Sequence, residues 1–372
     1  MHKILFLTGT RADFGKLRPL IQAVHDASGL EASVFATGMH LLRKHGHTYR
    51  EVAKAGFDVW PCFNQSAKFA DMDFALAATI KGLARYCREN APDLIVVHGD
   101  RIEALAGAIV GQLNGIRVAH IEGGELSGTI DETLRHAVTK LAHLHYVANR
   151  AAVQRVRQLG EDPVSIYQIG SPEVDVMLGP LPSLTETRER YSIPAGEYVL
   201  CLLHPVTTEQ GSQAEQVFRG VDLAGYRVVA IEPNNDTGSE DIRRELARYA
   251  DRWAVYPSLR FRHFLTLLRH AHAIVGNSSS GVREAPVYGT PTVNVGTRQN
   301  GRASGPSIQH VDADDEAICN AILAAHRHPP RYTFGAGDSA AKFLASLKGM
   351  ALRVPIQKTF HDSGQEGMQW IT

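Results

Sequence analysis

Carboxylates stand at points where apolar runs give way to small, turn-forming residues. Val96-Val97-His98-Gly99-Asp100-Arg101 puts Asp100 just past one such run, and His120-Ile121-Glu122-Gly123-Gly124-Glu125 puts Glu122 at the end of the next. Asp131 follows in Ser127-Gly128-Thr129-Ile130-Asp131, where it should cap a helix that carries Arg135 one turn on. A carboxylate at a strand end is costly to bury unless it is paired or put to use, and the two glycines allow a ligand close to the backbone. Carboxylates in unlike environments are what acid–base work on a C–H or C–O bond requires. The blander readings are a helix cap for Asp100 and an ion-paired scaffold with Arg101 and Arg135. Repetition of the pattern on successive strands favours chemistry.

Other residues suit an anionic ligand. Thr8-Gly9-Thr10-Arg11-Ala12-Asp13-Phe14-Gly15-Lys16 is not a P-loop, since five residues separate its glycines and Leu17 follows the lysine. It reads as a tight turn that leaves Arg11 at the end of the first strand, able to grip a phosphate. In the second half, His204 ends an apolar run and Asn234 follows another. Gly276-Asn277-Ser278-Ser279-Ser280-Gly281 leads from a strand into a helix through small residues only, and its N–H groups and hydroxyls suit a diphosphate. An ordinary serine cap explains one of those serines. Glu284 could accept from a ribose or pair with Arg283, and Arg298 adds a cation at a further strand end. Eighteen histidines form no H-E-x-x-H or cluster at ligand spacing, so no metal is expected, and the absence of G-x-G-x-x-G leaves no sign of a nicotinamide cofactor.

The elements that must position these residues alternate from end to end. Lys3–Thr8, Ala32–Thr37, Asp93–His98, Arg117–Ile121 and His145–Ala148 read as buried parallel strands. Helices are expected over about Lys16–Ala27, His40–Ala55, Asp73–Asn90, Arg101–Asn114 and Glu132–His143. Gly170-Ser171-Pro172 and Gly179-Pro180-Leu181-Pro182 mark a hinge. A second series follows, with strands at Tyr198–Leu203, Arg227–Ile231, Ala254–Pro257, Ala273–Val275 and Thr292–Val295. Its helices lie near Ser212–Leu223, Glu240–Tyr249, Arg262–His270 and Ser280–Tyr288, and the last near Ser339–Leu352. The fold class is therefore α/β, two Rossmann-like doubly wound domains facing a cleft, with limits at residues 1–175 and 176–352. The 372-residue length suits two cores. Lys+Arg and Asp+Glu are both 39, which gives no pull toward nucleic acid or an anionic membrane. No apolar run is long enough for a signal or a span, and four scattered cysteines suggest a reducing, cytoplasmic setting.

Together with His204-Pro205-Val206-Thr207-Thr208 and Gly296-Thr297-Arg298-Gln299, these motifs resemble, in order over roughly residues 3–350, the hydrolysing UDP-N-acetylglucosamine 2-epimerases. The resemblance implies a GT-B-like fold with a C-terminal helix, about 353–372, returning to the first domain. It implies the reaction UDP-GlcNAc + water → N-acetylmannosamine + UDP, feeding sialic acid synthesis, without a cofactor, by a homodimer or tetramer. Carried over by position, Asp100, Glu122, Asp131 and His204 are catalytic. Arg11, Arg101, Arg135, Asn234, Ser278, Ser279, Glu284 and Arg298 contact the UDP-sugar. Non-hydrolysing relatives typically carry Ala-Gly-Leu-Arg after the shared glutamate, and Gly123-Gly124-Glu125 here favours hydrolysis. Alternatives are a hydrolysing enzyme for UDP-2,4-diacetamido-2,4,6-trideoxyglucose, a non-hydrolysing epimerase, a glycosyltransferase of the same fold, and a non-catalytic sensor. The glycosyltransferase E-x7-E element is missing, because Thr292 stands eight places after Glu284.

Overall fold

The computed structural model describes residues 1–43, 46–64, 71–127, 130–206, 213–233, 238–302 and 305–362. Contacts divide the chain into two units. The first comprises Met1–Glu125, Glu132–Pro172 and the described residues from Asp338 onward; the second comprises Leu126–Asp131 and Glu173–Gly337.

In the first unit, strands β1 (His2–Thr8), β2 (Leu30–Ala36), β3 (Asp58–Pro61), β4 (Leu94–His98), β5 (Arg117–Ile121), β6 (Leu144–Val147) and β7 (Ile166–Gln168) form a parallel sheet. Helices α1 (Arg11–His25), α2 (Tyr49–Lys54), α3 (Met72–Asn90), α4 (Ile102–Leu113), α5 (Ile130–Leu141) and α6 (Arg150–Gln158) connect them. Among the described residues the order is β3-β2-β1-β4-β5-β6-β7. Ile4, Leu5 and Phe6 of β1 and Leu94–Val97 of β4 are fully buried, because helices cover both faces of a parallel sheet and each central strand must be apolar throughout. The order reverses between β1 and β4, and it is beyond the carboxyl ends of strands at such a point that α/β sheets hold ligands.

The second unit repeats the plan with β8 (Tyr198–Leu202), β9 (Arg227–Ile231), β10 (Ala254–Tyr256), β11 (Ile274–Gly276), β12 (Thr292–Val295) and β13 (Ile308–Val311), ordered β10-β9-β8-β11-β12-β13. Its reversal lies between β8 and β11. The helices from the boundary onward are α7 (Pro172–Leu178), α8 (Leu184–Tyr191), α9 (Ala214–Leu223), α10 (Ser239–Ala247), α11 (Phe261–His270), α12 (Ser279–Arg283), α13 (Asp315–Leu323) and α14 (Ser339–Lys348). No described helix is long and apolar enough to cross a membrane.

Several expectations are corrected. His40–Ala55 is a 3-10 turn at Gly38–Leu41 followed by the short α2, since Gly46 at φ +82° ends any right-handed run. Ser280–Tyr288 breaks after Arg283 into a 3-10 turn that contains Pro286, which has no N–H to donate. The Gly/Pro-rich stretch at the boundary holds α7, with Pro172 at its first position, where a missing N–H costs little. Apart from Leu126–Asp131, which joins the second unit, the division falls after residues 172 and 337 where 175 and 352 were expected. Helix α14 buries Phe343 and Leu347 in the first core, with Phe343 edge-on to Tyr146 at 4.8 Å. Beyond it lie only a 3-10 turn at Ala351–Arg353 and non-helical chain to Asp362, so the expected terminal helix is absent over 353–362. Its remainder, 363–372, lies outside the described residues.

Candidate active site

Glu122 is the first residue beyond β5, and its backbone is left-handed at φ +66°. That conformation in a residue with a Cβ costs on the order of 1–3 kcal/mol and persists only where the surroundings enforce it. They do so here through Glu122 N–H, which donates to Tyr146 O at 2.8 Å, and through two glycines. A Cβ on Gly124 (φ +76°) would lie 2.5 Å from the Ala152 carbonyl oxygen, so the chain passes α6 too closely for a side chain. The result is a buried carboxylate held from both sides. Ser171 Oγ–H donates to its Oε1, and His98 Nε2 faces its Oε2 at 3.2 Å.

His98, at the end of β4, is fixed through its other nitrogen by Asp13 of α1, Nδ1 to Oδ1 at 2.7 Å. Burial would discharge the ring, but the charges and hydrogen bonds of Glu122 and Asp13 prevail and raise His98 to about 10, so it is an imidazolium. Burial likewise opposes the Asp13 charge, yet His98, the Thr8 hydroxyl and the Gly9 N–H hold that carboxyl below its usual range. Beside them His120 bridges Gly99 O (2.8 Å) and Thr139 Oγ1 (3.0 Å), and burial pushes it down to about 3 and keeps it neutral.

Asp100 does not cap α4; Arg101 occupies the cap position. The Asp100 carboxylate pairs with Arg135, which is buried and also donates to Glu125 O at 3.0 Å. Asp100 and Glu122 thus end neighbouring strands, one carboxylate against a guanidinium and the other against an imidazolium and a hydroxyl. Asp131 is not the cap expected either, since α5 begins at Ile130 and Asp131 sits in its first turn, half-buried. Arg101 Nε lies 3.6 Å from the buried Glu103, and Arg11 pairs with Glu51 at 2.9 Å.

In the second unit, His204 and the Gly276–Ser280 turn meet where β8 and β11 flank the reversal. Gly276, at φ +124°, leaves no room for a Cβ, which would lie 2.1 Å from Leu202 O. Next to it, the Asn277 side chain accepts from His204 N–H and donates to His204 O, both at 2.8 Å. The Asn277 carbonyl accepts from Arg298 Nη1 (3.2 Å) and Gln299 Nε2 (2.8 Å), so Arg298 is drawn onto this turn. Ser278 is the α12 cap and accepts from Ser280 N–H at 3.4 Å, as the bland reading had it, with Ser279 opening the helix. Glu284 is buried and accepts from Ser280 Oγ at 3.4 Å, and Arg283 pairs with Glu173 at 3.0 Å. Asn234 lies outside the described residues, as do Thr207 and Thr208. Asp13, His98, Ser171, Glu103 and Asn277 were not singled out from the sequence, although all but Glu103 lie in stretches that were, Ser171 in the Gly170-Ser171-Pro172 hinge.

Two doubly wound parallel sheets with acid–base groups at one reversal and a polar small-residue turn at the other define an α/β enzyme of the two-sheet type. The chain belongs to the UDP-N-acetylglucosamine 2-epimerase family, whose family model matches residues 22–348. It is similar to the UDP-N-acetylglucosamine 2-epimerase of Neisseria meningitidis serogroup B, 46% identical over 91% of this chain and 92% of the relative. It is also similar to the UDP-N,N'-diacetylbacillosamine 2-epimerase (hydrolyzing) of Legionella pneumophila, 33% identical over 96% of this chain and 98% of that one. Among solved structures, the Methanocaldococcus jannaschii UDP-GlcNAc 2-epimerase in complex with UDP-GlcNAc and UDP superposes with a TM-score of 0.78 over 93% of this chain and 99% of that one. At 18% identity that likeness speaks for the fold alone.

Proposed function

We propose that the protein is a hydrolysing UDP-GlcNAc 2-epimerase that releases N-acetylmannosamine and UDP. The observation that carries this reading is the pair of unlike carboxylates, Asp100 on Arg135 and Glu122 between His98 and Ser171, on neighbouring strand ends. Inverting C2 means removing a weakly acidic C–H proton and returning one on the opposite face, which takes at least two acid–base groups. Loss of UDP from C1 makes that proton more acidic. Its removal gives a glycal, and water then adds at C1 as C2 is reprotonated. Asp100, Glu122 and Asp131 serve these proton transfers, and His204 serves the leaving oxygen. Arg298, Ser278, Ser279 and the Asn277 turn bind the diphosphate, whose developing charge needs fixed donors. Arg11, Arg101, Arg135, Asn234 and Glu284 complete the sugar-nucleotide contacts.

Hydrolysis is favoured by the Gly123-Gly124-Glu125 sequence after Glu122 and by the likeness to the hydrolysing Legionella enzyme. That relative also supports a second reading, in which the sugar is the UDP-linked 2,4-diacetamido-2,4,6-trideoxy form. The deciding experiment supplies each nucleotide sugar alone and identifies the products. Free N-acetylmannosamine with UDP from UDP-GlcNAc is the expected outcome. UDP-N-acetylmannosamine as the sole product would reject hydrolysis, and turnover of the diacetamido sugar only would reject the substrate.

A further inference from the structure

The Glu122 carboxylate is the near end of a line of polar groups whose far end lies on another element, and the elimination itself names no use for that end. Asp13 spends both its oxygens there, Oδ1 on His98 Nδ1 at 2.7 Å and Oδ2 on the Gly9 N–H at 3.0 Å. Its own N–H is taken by Thr10 Oγ1 at 3.1 Å, so the first turn of α1 is locked where it presents the carboxylate. With Nδ1 pinned, the imidazole can turn only one nitrogen toward the site, and that nitrogen stands 3.2 Å from Glu122 Oε2. The side chains of Asp13, His98 and Glu122 are 15%, 10% and 8% exposed, so water does little to screen them.

We propose that Asp13 and His98 are positioning residues for proton abstraction. Asp13 sets the imidazole so that its Nε2–H meets Glu122, and Glu122 is thereby kept as a carboxylate aimed for the C2 proton. This rests on the epimerase reading above. When Glu122 takes that proton, the C2–H pair becomes the C1=C2 bond and the C1–O pair leaves with UDP. His98 keeps both ring protons throughout. The charged groups that face it are Asp13 from α1 and Glu122 beyond β5; the adjacent His120 is neutral. The upward shift of His98 and the depressed Asp13 carboxyl agree with this arrangement.

Asp13→Asn tests the line, because an amide cannot accept at both positions and must turn its NH2 against Gly9 or His98. The expected result is a kcat lower by about 10²-fold, with KM and UDP affinity within about threefold of the parent, as for a misaligned catalytic group. In ¹⁵N-histidine NMR of the unaltered protein near neutral pH, the ring signals that vanish in His98→Gln should be those of a doubly protonated imidazole. In Asp13→Asn they should move toward a neutral tautomer. Turnover of Asp13→Asn within about twofold of the parent, or a neutral His98 in the unaltered protein, would overturn the proposal. Failure of the unaltered protein to act on UDP-GlcNAc would count against the substrate reading, and the NMR result would then decide the line by itself.

Discussion

Asn277 grips the main chain of His204 from both sides, accepting from its N–H and donating to its carbonyl, each at 2.8 Å. A side chain thus does what a neighbouring strand would do, and it does so where β8 has run out of partners. Asn277→Asp replaces the donor with an acceptor that faces the His204 carbonyl. The second unit should lose about 1–3 kcal/mol of stability, the cost of an unsatisfied buried polar group. Urea unfolding followed by tryptophan fluorescence reads it, since Trp253 is buried in this unit. An unchanged midpoint would show that His204 is held by something else.

Asp100→Asn, Glu122→Gln and Asp131→Asn keep shape and remove a charge. Each should lower turnover by about 10²-fold or more, the scale of lost acid–base catalysis, while UDP affinity stays within a few fold. Collapse of UDP binding in any of them would make that residue structural. Arg135→Ala differs, because it removes a buried guanidinium that pairs with Asp100 and donates to the Glu125 carbonyl, and it should destabilise the first unit by about 1–3 kcal/mol.

Arg298 donates to the Asn277 carbonyl, which holds it on the turn proposed to receive the diphosphate. Arg298→Ala should weaken UDP binding by about 1.5–3 kcal/mol, the loss of a charge-assisted hydrogen bond. Calorimetric titration with UDP measures this directly. Equal affinity in a folded variant would remove Arg298 from the nucleotide site.

Isotopes test the order of bond breaking. In D₂O the N-acetylmannosamine should carry deuterium at C2, and in H₂¹⁸O the label should enter at C1 with UDP unlabelled. Protium retained at C2, or ¹⁸O in the nucleotide, would sink the elimination route. A glycal accumulating in a slow carboxylate variant would support it strongly.

Stability should depend on acid in a defined window. Burial above all pushes His40 and His143 down to about 4 and His120 to about 3. In the unfolded chain such rings titrate near 6.5, as ordinary histidines do. Between about 6.5 and 4 the unfolded state binds protons that the folded state refuses, so stability is full above that range and drains away as pH falls through it. His98 contributes with the opposite sign, fully below about 6.5 and less as pH rises toward 10. The Tm measured at a series of pH values should therefore decline on both sides of neutrality. A flat or rising Tm on acidification from about pH 6.5 to 4 would contradict this account of the buried histidines.

The central strands were legible because Leu94–Val97 and their like are buried on both faces and must be uniformly apolar. The edge strands β3, β7 and β13 were missed, since Asp58–Pro61 is mostly exposed and carries no such run. Asp100 and Glu122 were legible because position at a strand end is a local property. The partners that give them unlike characters were not. Asp13 meets His98 across 85 residues and Ser171 meets Glu122 across 49, and no spacing rule links them. The left-handed backbone of Glu122 was invisible for a related reason. The glycines that follow it announced a turn without saying that the glutamate itself would carry the unfavourable angle.

Phe343 packs against Phe6 at 6.2 Å and against Tyr146, so β1 and α14 complete one core although the whole of the second unit lies between them in the chain. On the ribosome this fixes a sequence of events. The long segment of the interposed unit, Glu173 to Gly337, emerges whole and can close its own sheet while the earlier one still lacks its last helix. Until Ser339–Lys348 leaves the exit tunnel, a nascent chain must shelter an open hydrophobic seat beside β1, and a ribosome stalled before that helix would display it to chaperones.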